Sequence, residues 1–159
     1  PYGDFATALL ALGATARLAG EGGNREVPVE EILSRRGRGP RPVVAALLVP
    51  EPPRDAFRFL KVSRVKPKGV SLMSIAALLP TSGGRVQGAR VAYGAMAETP
   101  VRATAVERAL EGRNLDEAGI APALAAATQG IEPPTDALAS SWYRREVAPV
   151  HLRRLLLGA

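Results

Sequence analysis

The sequence predicts an α+β fold, a three-stranded antiparallel sheet followed by three helices in a two-layer sandwich. Between residues 57 and 97, short apolar runs alternate with glycine-containing turns, which is typical of a meander of strands. After Pro100 the apolar residues recur at helical spacing instead. Upstream of the predicted strands and helices, the paired prolines of Glu51–Asp55 predict a stiff, solvated connector. We therefore divide the chain into two domains, 1–52 and 56–159.

The first domain begins with a short amphipathic helix over residues 4 to 12. Its apolar residues at helical spacing are Phe5, Ala8, Leu9 and Leu12. Asp4 is suited to cap the N-terminus of this helix, and Gly13 is suited to end it.

Two β-prone runs follow, Thr15–Ala19 and Glu26–Val29, separated by Glu21–Asn24. The glycines of that segment can adopt positive φ, which favours a hairpin turn. A phosphate-binding loop is the alternative interpretation. Such a loop must lead from a strand into a helix, whereas this one joins two strand-like runs, so we predict a hairpin.

The first domain ends with a single helical turn over Glu30–Leu33, a loop over Ser34–Pro42 and a strand over Val43–Val49. Prolines and glycines in the loop prevent regular hydrogen bonding. Because the strand is a continuous apolar run closed by Pro50, we predict that it is buried on both faces.

The second domain opens with the meander. Strands are predicted at Phe57–Val65, Leu72–Leu79 and Val86–Ala97, with turns at Pro67–Gly69 and Thr81–Gly84. In the first strand, bulky apolar and polar side chains alternate, as expected for a strand with two different faces.

Helices follow the meander. One starts at Thr104, or just upstream at Pro100–Val101, and ends at Gly112; a second, rich in alanine, covers Leu115–Thr128. Together they are expected to cover one face of the sheet.

The third helix is predicted over Ala137–Leu157. Pro149 lacks the backbone N–H of an interior helical residue, so it should kink or split this helix near Glu146.

Composition limits the chemistry of the chain. The hydrophobic share is 47% with few aromatic residues, so the core must be built mainly from Ala, Val and Leu. The net charge of +6 suits an anionic partner, although a codon bias toward G and C is the favoured explanation of the arginines. There is no cysteine, so any iron–sulfur or zinc-thiolate centre must lie on another chain.

No catalytic or metal-binding residue is predicted. His151 is the only histidine, and the neighbouring Arg153 and Arg154 disfavour its protonation. The arginines of the 34–42 loop could bind phosphate, but the loop lacks aromatic residues that would stack on bases, so we expect no nucleic acid there. No apolar run is long enough to cross a membrane, and a cytoplasmic protein is the default expectation.

Three segments, and the order in which they follow one another along the chain, resemble those of a known family. They are Phe57–Ala76, Ala92–Ala97 and Ser141–Arg145. Together they resemble the C-terminal domain of the FAD-carrying medium subunit of molybdenum hydroxylases, the family of xanthine dehydrogenase and carbon monoxide dehydrogenase. The resemblance implies that residues 1–52 are the tail of an α/β FAD-binding domain, with its phosphate-binding glycine loops upstream of Pro1.

The resemblance also implies cofactor-binding residues. Asp4 matches an aspartate that contacts FAD, and Val44 is the nearest counterpart of a leucine behind the isoalloxazine ring. Lys61 matches a lysine near the flavin, although the relatives differ by one position and Leu60 is the alternative. A cation there would favour the anionic reduced ring.

The function implied is electron transfer by an oxidoreductase subunit. Electrons would pass from a molybdopterin centre on a large subunit, through [2Fe–2S] clusters on a small subunit, to FAD and then to NAD or another acceptor. The fragment alone should bind FAD weakly or not at all. A non-catalytic assembly module that uses the basic loop, or a general nucleic-acid binder, would be the alternatives from other classes.

Overall fold

The structure is a computed structural model that describes residues 3–20, 23–35, 43–65 and 68–158. Within those ranges the helices are α1 Asp4–Leu12, α2 Val29–Ser34, α3 Thr104–Leu110, α4 Glu117–Ala125 and α5 Ser141–Leu157. The strands are β1 Thr15–Ala19, β2 Arg25–Pro28, β3 Val43–Leu48, β4 Phe57–Val62, β5 Met73–Leu78, β6 Thr81–Ser82, β7 Arg85–Val86, β8 Arg90–Gly94 and β9 Val101–Arg102.

The strands form two main antiparallel sheets. The first sheet has the order β2-β1-β3, and the second sheet has the order β4-β5-β8-β9. A two-stranded hairpin, β6-β7, accompanies the second sheet. Strands and helices are segregated along the chain after residue 56, so the predicted α+β class is confirmed.

Helix α1 ends as predicted but begins differently. Gly13 adopts a left-handed conformation with φ of 68°, as expected of a residue that terminates a helix. Asp4 is the first residue of α1, Gly3 occupies the N-cap position, and no side chain caps the helix. The predicted cap by Asp4 is therefore wrong, because its carboxylate is engaged elsewhere, as described below.

The buried face of α1 also differs from the predicted apolar stripe. Leu9 of the predicted stripe is buried, but so are Thr7, Leu10 and Ala11, whereas Phe5 is 68% exposed. Small residues on this face let the helix approach the second sheet closely, where it meets Ala76 and Ala92. The face of α1 that is buried is therefore the one whose side chains pack well against the sheet, and not the one with the largest apolar side chains.

The hairpin of the first sheet is confirmed. β1 and β2 pair in antiparallel register, and Gly23 has a φ of 81°, whereas residues 21 and 22 lie outside the described ranges. The predicted helical turn at Glu30–Leu33 also forms, as part of α2, which extends it by one residue at each end.

The strand β3 forms as predicted, but its burial was predicted wrongly. Val43 is 66% exposed and Val44 is 45% exposed. The strand lies at the edge of the first sheet and packs mainly against β1. An apolar run at a sheet edge is shielded on one side only, which explains the exposure.

The second sheet contains four strands instead of the predicted three. The additional strand β9 pairs with β8, with Arg102 opposite Ala92. The predicted third strand is shorter, because Gly88 at φ of 68° separates β8 from Val86, which belongs to β7. Residues near Val101 that could have opened a helix therefore extend the sheet.

Three helices follow the second sheet, as predicted. α5 starts at Ser141, where the Ser140 hydroxyl accepts a hydrogen bond from the Tyr143 N–H at 3.1 Å. The helix continues through Pro149 without interruption, so the predicted split is wrong. The neighbouring Ala148 and Leu152 are fully buried, and their packing compensates for the single hydrogen bond that the proline removes.

The second sheet is covered on both faces. On one face, a large core joins the sheet to α3, α4 and α5 and includes Met73, Ile75, Ala77, Val91 and Tyr93. On the other face, Ala76 and Ala92 pack against Leu10 and Ala11 of α1. The predicted two-layer sandwich therefore carries a third layer, contributed by the first part of the chain.

Two arginines of the second sheet bind the ends of helices on its opposite faces. Arg58 donates to the carbonyl oxygens of Leu155 and Leu156 at 3.1 and 2.5 Å, at the end of α5. Arg90 donates to those of Leu10 and Ala11 at 3.0 and 3.1 Å, at the end of α1. Cations at helix C-termini satisfy carbonyl groups that lack helical partners and complement the helix dipole.

Candidate functional site

Two of the three predicted cofactor-binding residues contact each other. The Lys61 ammonium lies 2.8 Å from Oδ2 of Asp4. Asp4 is in the first turn of α1, and Lys61 projects from β4, where it is opposite Ser74 of β5. Lys61, and not Leu60, faces Asp4, because Leu60 packs against the large core on the other side of the sheet.

The second oxygen of the same carboxylate is also engaged. The Ser71 hydroxyl donates to Oδ1 of Asp4 at 2.5 Å, and Ser71 is 1% exposed. Asp4 thus has a separate donor on each oxygen. Sequence analysis gave no role to Ser71, since no local pattern links a serine before a strand to a carboxylate at the start of the chain.

The network keeps Asp4 ionised. Burial alone would raise the pKa of Asp4, but the hydrogen bond and charge of Lys61, the hydrogen bond from Ser71 and the nearby Ser74 hydroxyl outweigh it and lower that pKa from its ordinary value. The position in the first turn of α1 also favours a negative charge there.

Both charged side chains remain accessible. The side chains of Asp4 and Lys61 are 29% and 31% exposed. A carboxylate can accept hydrogen bonds from hydroxyl groups of a ligand, and an ammonium can donate to a carbonyl or anionic oxygen. The arrangement can therefore bind and orient a polar ligand.

Val44, the third predicted residue, is not part of this hydrogen-bonding network. It lies on β3 opposite Leu18 of β1, and Leu18 shares a core cluster with Leu9 of α1. Together with Leu47, which is 39% exposed, it offers accessible apolar surface on the first sheet.

Arg144 is a fully buried cation that sequence analysis did not single out. Its guanidinium binds both carboxylate oxygens of Asp136, at 3.1 and 2.9 Å. It also donates to the carbonyl oxygens of Pro134 and Ala139, and to that of Leu72 at 2.9 Å. Leu72 directly follows Ser71, so the buried arginine reaches the backbone beside the candidate site.

Other candidate groups do not converge on a reactive centre. His151 is half-buried in α5, and burial, together with the charge of Arg154, lowers its pKa. Within the described ranges, no group of three or more His, Cys, Asp or Glu residues could hold a metal ion. None of the helices described there has the length and apolar character needed to span a bilayer.

The predicted basic loop can be assessed only at its start. Arg35 forms an ion pair with Glu31 at 3.0 Å. Arg36, Arg38 and Arg41 lie outside the described residues.

Comparison with protein families gives a match over most of the chain. The family described as CO dehydrogenase flavoprotein C-terminal domain matches residues 58–159. The glyceraldehyde dehydrogenase medium chain of Sulfolobus acidocaldarius is 29% identical over 94% of this chain and 54% of its own length. The carbon monoxide dehydrogenase medium chain of Afipia carboxidovorans is 28% identical, over 97% of this chain and 54% of its own length.

A solved structure has the same fold. Carbon monoxide dehydrogenase from Hydrogenophaga pseudoflava superposes with a TM-score of 0.86 and 26% identity, covering 96% of this chain and 54% of that one. The chain therefore spans about half the length of the relatives that it matches.

Proposed function

We propose a function from the premise that this chain belongs to the CO dehydrogenase flavoprotein C-terminal domain family. It helps to bind and orient FAD in an electron-transferring flavoprotein subunit of a molybdenum hydroxylase. The resemblance inferred from the sequence is confirmed by that family membership. The observation that carries the proposal is the contact at 2.8 Å between Asp4 and Lys61, two residues that the resemblance had separately assigned to the flavin site.

The side chains present fit this cofactor. Asp4 would accept hydrogen bonds from hydroxyl groups of FAD, and Lys61 would donate to an oxygen of the flavin ring. Val44, 45% exposed on β3, would contact the ring through its apolar surface. When bound, FAD supplies the redox chemistry, and these residues supply binding, orientation and charge.

The electrostatic role of Lys61 is moderated by its partner. Because the Lys61 ammonium is paired with Asp4, the cation next to the flavin is partly neutralised. The pair would therefore favour the anionic reduced ring less than an unpaired lysine would. The charge of Asp4 becomes a determinant of the flavin potential as well as a contact.

The partners follow from the same family. We propose a large subunit that binds molybdopterin and a small subunit that carries [2Fe–2S] clusters, since this chain has no cysteine to ligate a cluster. Electrons would leave FAD for NAD or another acceptor. Residues 1–52 would belong to the FAD-binding domain and residues 56–159 to the C-terminal domain, and the cytoplasm remains the expected location.

Binding by the chain alone should be weak. Pyrophosphate is held by backbone N–H groups where a glycine loop leads into a helix, and the described residues contain no glycine-rich loop of that kind between a strand and a helix. We therefore expect little or no FAD to remain with the isolated chain, and flavin absorbance after soaking would measure it.

The proposal is tested with Asp4→Asn and Lys61→Met in the protein as its gene encodes it. Each should weaken FAD binding by about tenfold, as expected for loss of a charged contact, measured by flavin fluorescence during titration. Asp55→Asn and Lys68→Met are matched controls, because the one ion pair of Asp55 with a described residue is with its neighbour Arg54, in an exposed turn, and Lys68 is exposed. Unchanged affinity in both site variants would overturn the proposed function.

A further inference from the structure

We infer that Ser71 is a positioning residue that fixes the orientation of Asp4 toward its ligand and is itself held in place by Arg144. The inference rests on the proposed function only where it takes the ligand of Asp4 to be FAD. Its structural part, the control of Asp4 by Ser71, stands on the geometry of the site.

The first step is the geometry at the carboxylate. Ser71 donates to Oδ1 at 2.5 Å, and Lys61 approaches Oδ2 at 2.8 Å. Two donors on opposite oxygens define the plane of the carboxylate, whereas Lys61 alone, on a flexible side chain, would leave it free to rotate. Ser71 is the more rigid of the two donors because it is only 1% exposed.

The second step is the anchoring of Ser71. The next residue, Leu72, donates its N–H to the carbonyl oxygen of Val62 at 2.8 Å. Its carbonyl oxygen accepts from Nε of Arg144 at 2.9 Å. β5 begins immediately afterwards at Met73, so the peptide beside Ser71 is fixed on both sides.

The third step is the origin of that anchor. Arg144 is fully buried in the first turns of α5, where Asp136 binds it through both carboxylate oxygens. Nη2 makes both contacts with Asp136, Nη1 donates to the carbonyl oxygens of Pro134 and Ala139, and Nε donates to that of Leu72, so the guanidinium has little freedom. The final helix of the fold thus sets the position of a carboxylate in its first helix.

The direct test is the titration of the Asp4 carboxyl, followed by NMR. Ser71→Ala removes one donor to the ionised form, so the pKa of Asp4 should rise. Ser63→Ala is the matched control, because the one hydrogen bond of the Ser63 hydroxyl to a described residue is with the Val65 carbonyl oxygen, at 3.0 Å and exposed. A positioning role is overturned if Asp4 titrates identically in Ser71→Ala and in the wild type.

A second measurement connects positioning to the ligand. FAD affinity is compared among Asp4→Asn, Ser71→Ala and the double variant. Ser71→Ala should weaken binding about two- to tenfold, the usual effect of one hydrogen bond, and should add little when Asp4 is already replaced.

The outcomes separate the two proposals. If Asp4→Asn weakens binding and Ser71→Ala does not, the inference about Ser71 is wrong while the proposed function stands. If Asp4→Asn, Lys61→Met and Ser71→Ala all leave binding unchanged but the pKa of Asp4 rises in Ser71→Ala, the proposed function fails while the control of Asp4 by Ser71 stands.

Discussion

Two six-residue strands of this molecule, β3 and β5, have similar apolar sequences and opposite surroundings. β3 is Val-Val-Ala-Ala-Leu-Leu, and Val43 is 66% exposed; β5 is Met-Ser-Ile-Ala-Ala-Leu, and Ile75 is fully buried. β5 lies between β4 and β8 with helices on both faces, whereas β3 is an edge strand. The position of a strand in its sheet, rather than its hydrophobicity, determines its burial.

The same contrast extends to the two sheets. The second sheet shares a large core with α3, α4 and α5, while the first sheet has a small cluster with α1 and α2. Helix α1 contributes to both sides, through Leu9 to the first sheet and through Leu10 and Ala11 to the second. We expect the second sheet to determine global stability and the first sheet to remain available for a ligand.

The largest expected effect is on the buried cation beside the second sheet. Arg144→Met would remove the charged partner of Asp136 and the donor to the carbonyl oxygens of Leu72, Pro134 and Ala139, so it should lower the free energy of unfolding by about 3–5 kcal/mol, measured by urea denaturation. Arg145→Met, at an exposed neighbouring position, should have little effect. Equal effects of the two substitutions would contradict the structural role of Arg144.

A direct test of the comparison uses one residue from each strand. Ile75→Ala should lower the free energy of unfolding by about 2–5 kcal/mol, through lost burial and the cavity that remains. Val44→Ala should lower it by less than about 1 kcal/mol, as expected at an exposed strand position. Similar losses of unfolding free energy at both positions would show that β3 is covered in solution and would contradict the contrast between an exposed β3 and a buried β5.

A smaller effect on stability is expected at Tyr93, whose hydroxyl is buried in the large core of the second sheet. The Tyr93 hydroxyl is buried without a hydrogen-bond partner among the described residues, and burial raises its pKa. Tyr93→Phe should therefore increase the free energy of unfolding by about 1 kcal/mol. Tyr143→Phe, at a half-buried position in α5, is the control. A loss of stability in Tyr93→Phe would show that the hydroxyl is satisfied.

The smallest effect is the pH dependence at the site between the two regions. The pKa of Asp4 is lowered below 3.8 in the folded chain, so its stabilising contribution is present above that value and is lost as the pH falls through the folded-state pKa. At pH 6 the free energy of unfolding of the wild type should exceed that of Asp4→Asn by less than about 1 kcal/mol, because the ion pair of Asp4 and Lys61 is partly exposed. The difference should shrink as the pH falls through the folded-state pKa of Asp4, and a difference that stays constant as the pH is lowered would contradict the ionised pair.

Local patterns predicted most elements, and the exceptions have physical causes. Gly13 ends α1 as predicted, because a glycine in the left-handed region acts locally. α3 begins at Thr104 as predicted, although no side chain caps it. β9 could not be foreseen, since Val101 and Arg102 form a strand only through pairing with β8. The helix through Pro149 survives because of tertiary packing, which a propensity argument does not include.

The site was predictable in part. Asp4 and Lys61 were selected by family resemblance, but nothing in their local sequences indicates that they form an ion pair. Ser71 and Arg144 carry no such signal either, because their partners are distant in sequence and are brought close only by the packing of α1 and α5. Val44 was also selected by family resemblance, as the nearest counterpart of a leucine behind the flavin ring, and its exposure follows from the edge location of β3.

The placement of α1 on the second sheet has a consequence for limited proteolysis. The connector at Glu51–Asp55 is mostly exposed, so a protease can reach it. However, α1 packs against Ala76 and Ala92 of the second sheet, and Arg90 donates hydrogen bonds to its last carbonyl groups. A molecule nicked there should elute from a sizing column as one particle, and its two pieces should part only in denaturant.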